Sequence, residues 1–114
     1  MKSNTPAFIA SRPAANALYS ELLAKLLSIG PYAVEEKKNC IHVVANGRAF
    51  LGVHPKKYGL RLNVVLDRPL NSPRALRADR ASKNRFHNEV SLFSPNELDN
   101  ELLGWLKEAY ELGR

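Results

Sequence analysis

"CIHVVANGRAFLGVHPKKYGLRLNVVLD", residues 40–67, decides the fold. Two apolar runs, Cys40 to Ala45 and Arg48 to His54, flank Asn46-Gly47. Both residues of that pair tolerate positive φ, which makes it the strongest short-range signal for a tight β-hairpin. "HPKKYG" then supplies a second turn. From Leu60 to Asp67 the residues alternate. Leu60, Leu62, Val64 and Leu66 share one face, and Arg61, Asn63 and Val65 share the other. The stretch reads as three antiparallel strands with one apolar face.

Upstream, "VEEKK" (residues 34–38) is a weak, exposed strand candidate. "SRPAANALYSELLAKLLSIGP" (residues 11–31) has the marks of a helix, with Ser11 as cap and Pro13 in the first turn. Leu18, Leu22, Leu26 and Ile29 recur at helical spacing, Leu23 and Leu27 widen the stripe, and Gly30-Pro31 ends it. Residues 1–10 read as a flexible arm. Downstream, residues 68–85 form the longest stretch without a clear period, with room for a short helical turn between Pro73 and Asp79. "FHNEVSLF" (residues 86–93) alternates again, with Phe86, Val90 and Leu92 directed at the core, Asn88 between them, and His87, Glu89, Ser91 and Phe93 facing the other way. Ser94, Pro95 and Glu97 make a capping box, and the helix behind it carries a stripe of Leu98, Leu102, Trp105, Leu106 and Ala109. The expected fold is α+β: an N-terminal helix, an antiparallel meander of four to five strands and a C-terminal helix. Both helices pack on one sheet face, in a single domain over residues 11–114.

The 114 residues carry a net charge of +6, unevenly spread. Residues 37–87 hold twelve basic groups against Asp67 and Asp79, whereas residues 88–114 hold six acids and two bases. A basic block of this size points to a polyanion or an anionic ligand. Cys40 is the single cysteine, which excludes an intrachain disulfide. No apolar run reaches the roughly 18 residues of a membrane span. The short Ala7–Ile9 stretch lacks the apolar core of a signal peptide. A cytoplasmic location without membrane association is the expectation.

Catalytic and metal signatures are weak. Cys40, His42, His54 and His87 are the zinc candidates, but no second pair stands at ligand spacing. Ser91 and Ser94 lack a nucleophile elbow. Cys40 lacks a helix N-terminus to activate its thiol. No Gly-rich phosphate loop occurs. No cofactor, metal or catalytic residue is therefore assigned. One cross-strand constellation remains. Arg61 and Asn63 share a face with His87 and Glu89 if their strands pair, with His42 or Arg48 joining from the hairpin. Arg beside His suits phosphate or carboxylate; a plain Arg61–Glu89 pair is the competing reading.

"CIHVVANGRAFLGVHPKKYGLRLNVVLDRPL" together with "FHNEVSLFSPNELDNELLGWLKEAY" resembles a small bacterial domain family of uncharacterised function, over residues 16–112. The closing "ELD…LLGWLKEAY" helix is the most specific part. The layout is also similar to the YjbR/YdhG-like group of small α+β domains. Domains of the resembled family stand alone or beside nuclease-like domains, which implies a nucleic-acid-associated accessory role. The family's histidine before the last strand corresponds to His87 and its basic strand position to Arg61. Phe86 stands where some relatives carry a second histidine or a glycine, which counts against a histidine-pair active site.

The reading that follows is a non-enzymatic binding module for nucleic acid or another phosphate-bearing partner. Its contacts would be Arg48, Lys56, Lys57, Arg61, Arg74, Arg77, Arg80, Lys83, Arg85 and His87, with Tyr58 and Phe93 available to stack on bases. Two alternatives stand beside it. One is a pocket for a small anionic metabolite, which demands a concave site. The other is a protein-interaction or homodimerisation module using a sheet edge or Val65 and Phe93.

Overall fold

The computed structural model describes residues 6–112. Two helices, α1 (Ala7–Ala10) and α2 (Pro13–Leu26), precede six strands: β1 (Ala33–Glu36), β2 (Ile41–Ala45), β3 (Arg48–Lys56), β4 (Gly59–Leu66), β5 (Ala75–Ser82) and β6 (Arg85–Leu92). A 3-10 turn (Pro95–Glu97) and the helix α3 (Asn100–Leu112) complete the chain. All strand pairs are antiparallel, in the order β1-β2-β3-β4-β6-β5. The architecture is the expected α+β, with one strand more than the four to five anticipated.

The first four strands form the anticipated meander. Asn46 and Gly47 turn the β2–β3 hairpin with φ of 56° and 79°, the left-handed conformation that this dipeptide favours. The β3–β4 turn ends at Gly59, which packs against the backbone of β6. A Cβ there would run into the Leu92 carbonyl oxygen. The departure is β5, which lies in the supposed irregular stretch, where a helical turn was expected between Pro73 and Asp79. It is an outer strand paired only with β6, and seven of its eight residues are exposed. With neither face buried it needs no apolar alternation, so its sequence carries no strand period.

Helices cover one sheet face. Leu18, Tyr19, Leu22 and Leu26 of α2 and Leu102, Leu106 and Ala109 of α3 meet Leu60, Leu62, Val64 and Leu66 of β4 and Val90 and Leu92 of β6 in one core. Phe50, the extra residue of a bulge in β3, turns its ring edge-on to Tyr110 at 5.3 Å. Leu27 is exposed, because α2 ends at Leu26. Arg12, not Ser11, occupies the N-cap of α2, with Pro13 at the first position. The Ser94 capping box forms, but it closes the 3-10 turn, and Asp99 accepts from the Leu102 N–H at 3.0 Å to begin α3. Trp105 is only partly buried, lying against the core rather than within it. The expected arm is corrected in its described part: Ala7–Ala10 is helical and Ile9 is fully buried, so the packed domain starts before residue 11. Residues 1–5 lie outside the described residues.

One polar side chain is locked inside the core. Asn88 is fully buried, accepts from the Leu70 N–H at 2.8 Å, and donates to the carbonyls of Val64 (3.3 Å) and Arg68 (3.1 Å). It pins the segment leaving β4 to the adjacent strand β6. Asn88→Ala leaves those backbone groups without partners and is expected to cost about 2–4 kcal/mol. Ser94→Ala is expected to cost about 1 kcal/mol. Urea denaturation of both variants measures the difference; equal losses would contradict the role given to Asn88.

Candidate anion-binding pocket

The register of the strands assembles the open face row by row. One row runs His42, Gly52, Asn63, Glu89 and Arg77 across β2, β3, β4, β6 and β5. On one side of it lie Ala49, Val65, His87 and Asp79; on the other lie His54, Arg61 and Ser91. Gly52 contributes no side chain at the centre, so the surface drops between His42 and Asn63. A cavity of about 370 Å³ occupies the depression. Ala49, Gly52 and Val65 give it a floor of small and apolar groups. His42, His54, Asn63 and His87 flank the floor, and Arg48 and Arg85 stand beside Ala81 and Ser82. That volume falls in the range of small-molecule sites.

The electrostatics of the pocket are one-sided. No carboxylate among the described residues forms an ion pair with Arg48 or Arg85. Among the described residues Arg48 reaches only the Leu112 carbonyl, at a long 3.4 Å, and Arg85 donates to the neighbouring Asn84 carbonyl at 3.0 Å. Burial, and then the charge of Arg85, push the Arg48 guanidinium below its ordinary value. His54 is likewise held below the usual histidine range by burial, then by Arg61, Lys56 and His42, with Glu89 opposing. Its Nε2 lies 3.2 Å from the Asn63 Nδ2, so the amide donates to a neutral ring. The Asn63 carbonyl oxygen keeps no partner among the described residues.

The ten basic candidates do not form one surface. Arg48, Arg85 and His87 converge on the pocket. Arg61 pairs with Glu89 at 3.2 Å beside it, the competing reading of that constellation. Arg74 is engaged elsewhere: it bonds Asp99 (2.9 Å), Glu101 (3.0 Å) and the Glu97 carbonyl (2.8 Å), and stacks over Trp105. Arg77 pairs with Asp79 at 3.0 Å. Arg80 bonds the Ser82 and Lys83 carbonyls. Lys56 and Lys57 lie at the far end of the sheet, where the exposed Tyr58 and Phe93 also stand. Lys83 lies in the β5–β6 turn. Val65, expected with Phe93 to serve protein association, is instead buried in the pocket floor. His54 and Gly52 are site residues that the sequence reading did not assemble. The signal available was the glycine itself, since glycine inside a strand often marks a bulge or an approach by another group. Among the described residues no group of three or more His, Cys, Asp or Glu side chains is placed to hold a metal ion. No helix there is long and apolar enough to cross a membrane.

A family model described as Domain of unknown function (DUF5655) matches residues 6–113, nearly the whole chain. It agrees with the resemblance of the hairpin and the closing helix to a small domain family without an assigned activity. No curated protein and no solved structure matches the chain.

The depressed pKa of His54 has a consequence for stability. Below the ordinary histidine value near 6.5, the unfolded chain binds a proton that folded His54 resists. Stability associated with this ring is therefore present at pH 7 and is lost as the pH falls below the ordinary histidine value. Thermal melts at pH 7 and pH 5.5 should show a smaller acid-induced drop for His54→Gln than for the parent chain. An unchanged drop would contradict the environment described for this ring.

Proposed function

We propose that this chain, which belongs to the DUF5655 family, is a binding module for a small anionic ligand held in the open-face pocket. The observation that carries the reading is the pair Arg48 and Arg85, two cations at one concave site with no carboxylate among the described residues in an ion pair with either. Bringing like charges together costs free energy, and an anion between them removes that cost while accepting charge-assisted hydrogen bonds. The apolar floor and the flanking histidines supply contact area and further donors. A broad nucleic-acid surface has less support, because Arg61, Arg74 and Arg77 are neutralised within the domain.

Calorimetric titration with inorganic phosphate and with small organic phosphates and carboxylates tests the proposal. Binding should weaken with added salt and disappear in the Arg48→Ala/Arg85→Ala double variant. Arg85→Ala alone should melt no lower than the parent, since it removes a repulsion and only a local hydrogen bond. A bound anion at a hundred times its dissociation constant should stabilise the parent by about 2.7 kcal/mol. Anions that bind the double variant as tightly as the parent would overturn the reading.

A further inference from the structure

We propose that the ligand of this pocket is a two-ended organic phosphate of nucleoside monophosphate type, bound with its phosphate at Arg48 and Arg85 and its uncharged end at Asn63. The inference rests on the anion-binding reading above and specifies its ligand.

The two ends of the pocket differ in chemistry. Arg48 and Arg85 form the cationic end. Asn63 stands directly across from Gly52, which is three ladder steps along β3 from Arg48 because Phe50 bulges out between them, or about 10 Å of strand. Between them the floor is Ala49, Gly52 and Val65, which offer neither charge nor side-chain hydrogen bonds. A bare phosphate fills one end and leaves the rest of the 370 Å³ to water. A phosphate joined through a sugar to a flat base spans the distance and covers the apolar floor.

The far end selects an uncharged, hydrogen-bonding group. Asn63 uses one N–H on the His54 ring, at 3.2 Å. Its carbonyl oxygen and second N–H remain for a ligand, and a carboxamide of this kind matches the adjacent donor and acceptor on a base edge. His54 is kept neutral by its surroundings and does not call for a second anion there. Gly52 makes room for the ring. A Cβ at this position would meet its nearest neighbour, the Asn63 Cβ, at an ordinary 3.5 Å, so a side chain fits the backbone and would occupy the ligand's place.

The test is titration calorimetry with adenosine, guanosine, cytidine and uridine monophosphates, the four nucleosides and inorganic phosphate. At least one nucleotide should bind about tenfold or more tighter than phosphate, a factor of the size one added hydrogen bond supplies. Asn63→Ala should remove that advantage and leave phosphate binding unchanged. Gly52→Val should fold with the parent's circular dichroism spectrum, exclude nucleotides and still bind phosphate. If nucleotides bind no tighter than phosphate, or if Asn63→Ala and Gly52→Val leave nucleotide affinity unchanged, the two-ended ligand is wrong while the anion site stands. If neither phosphate nor nucleotide binds, both proposals fall.

Discussion

Burial of one sheet face beneath the helices is the constraint on which the rest of the structure depends. Leu22 and Leu26 from α2 and Leu102 and Leu106 from α3 cover the same side of β4 and β6, and these side chains are almost wholly removed from water. Side chains alternate along each strand, so this commitment sends every second residue of β2, β3, β4 and β6 to the opposite face. Asn88 holds the register where β4 gives way to the crossing segment. A slip by one residue would bring Asn63 and His87 into the core.

The charge asymmetry of the chain follows partly from the same packing. Arg68 makes a two-pronged bond to Glu108 at 2.9 and 3.0 Å, and Arg74 grips Asp99 and Glu101. The basic middle of the sequence thus clamps its acidic helix. The Asp99 carboxylate is held below its usual range by the Leu102 N–H and by Arg74, which keeps the start of α3 charged and capped. The cations left over are the informative ones. Arg48 and Arg85 face each other's charge without an ion-paired carboxylate among the described residues, an arrangement that does nothing for stability by itself.

The elements that sequence made legible are those whose burial leaves a periodic mark. The Asn46-Gly47 hairpin, the alternation from Leu60 to Leu66, the Phe86–Leu92 strand and the α3 stripe all depend on one face meeting the core. The strand β5 was illegible because it is solvated on both sides, and its arginines read as a loop. The cap at Ser94 was legible as a capping box, yet its chain breaks before α3 because Asp99 restarts the helix. Of the site, Arg61, Asn63, His42, His87 and Glu89 could be placed on one face from alternation alone. The depression at Gly52 could not, since it depends on registers across three strands and on a bulge at Phe50.

Backbone amide chemical shifts followed during titration with the tightest-binding nucleoside monophosphate locate the ligand residue by residue. The account predicts saturable shifts gathered at Arg48, Gly52, Asn63, Arg85 and His87, on three neighbouring strands of the open face. Saturable shifts gathered instead at Lys56, Lys57, Tyr58 and Phe93, with the Gly52 amide unmoved, would contradict it.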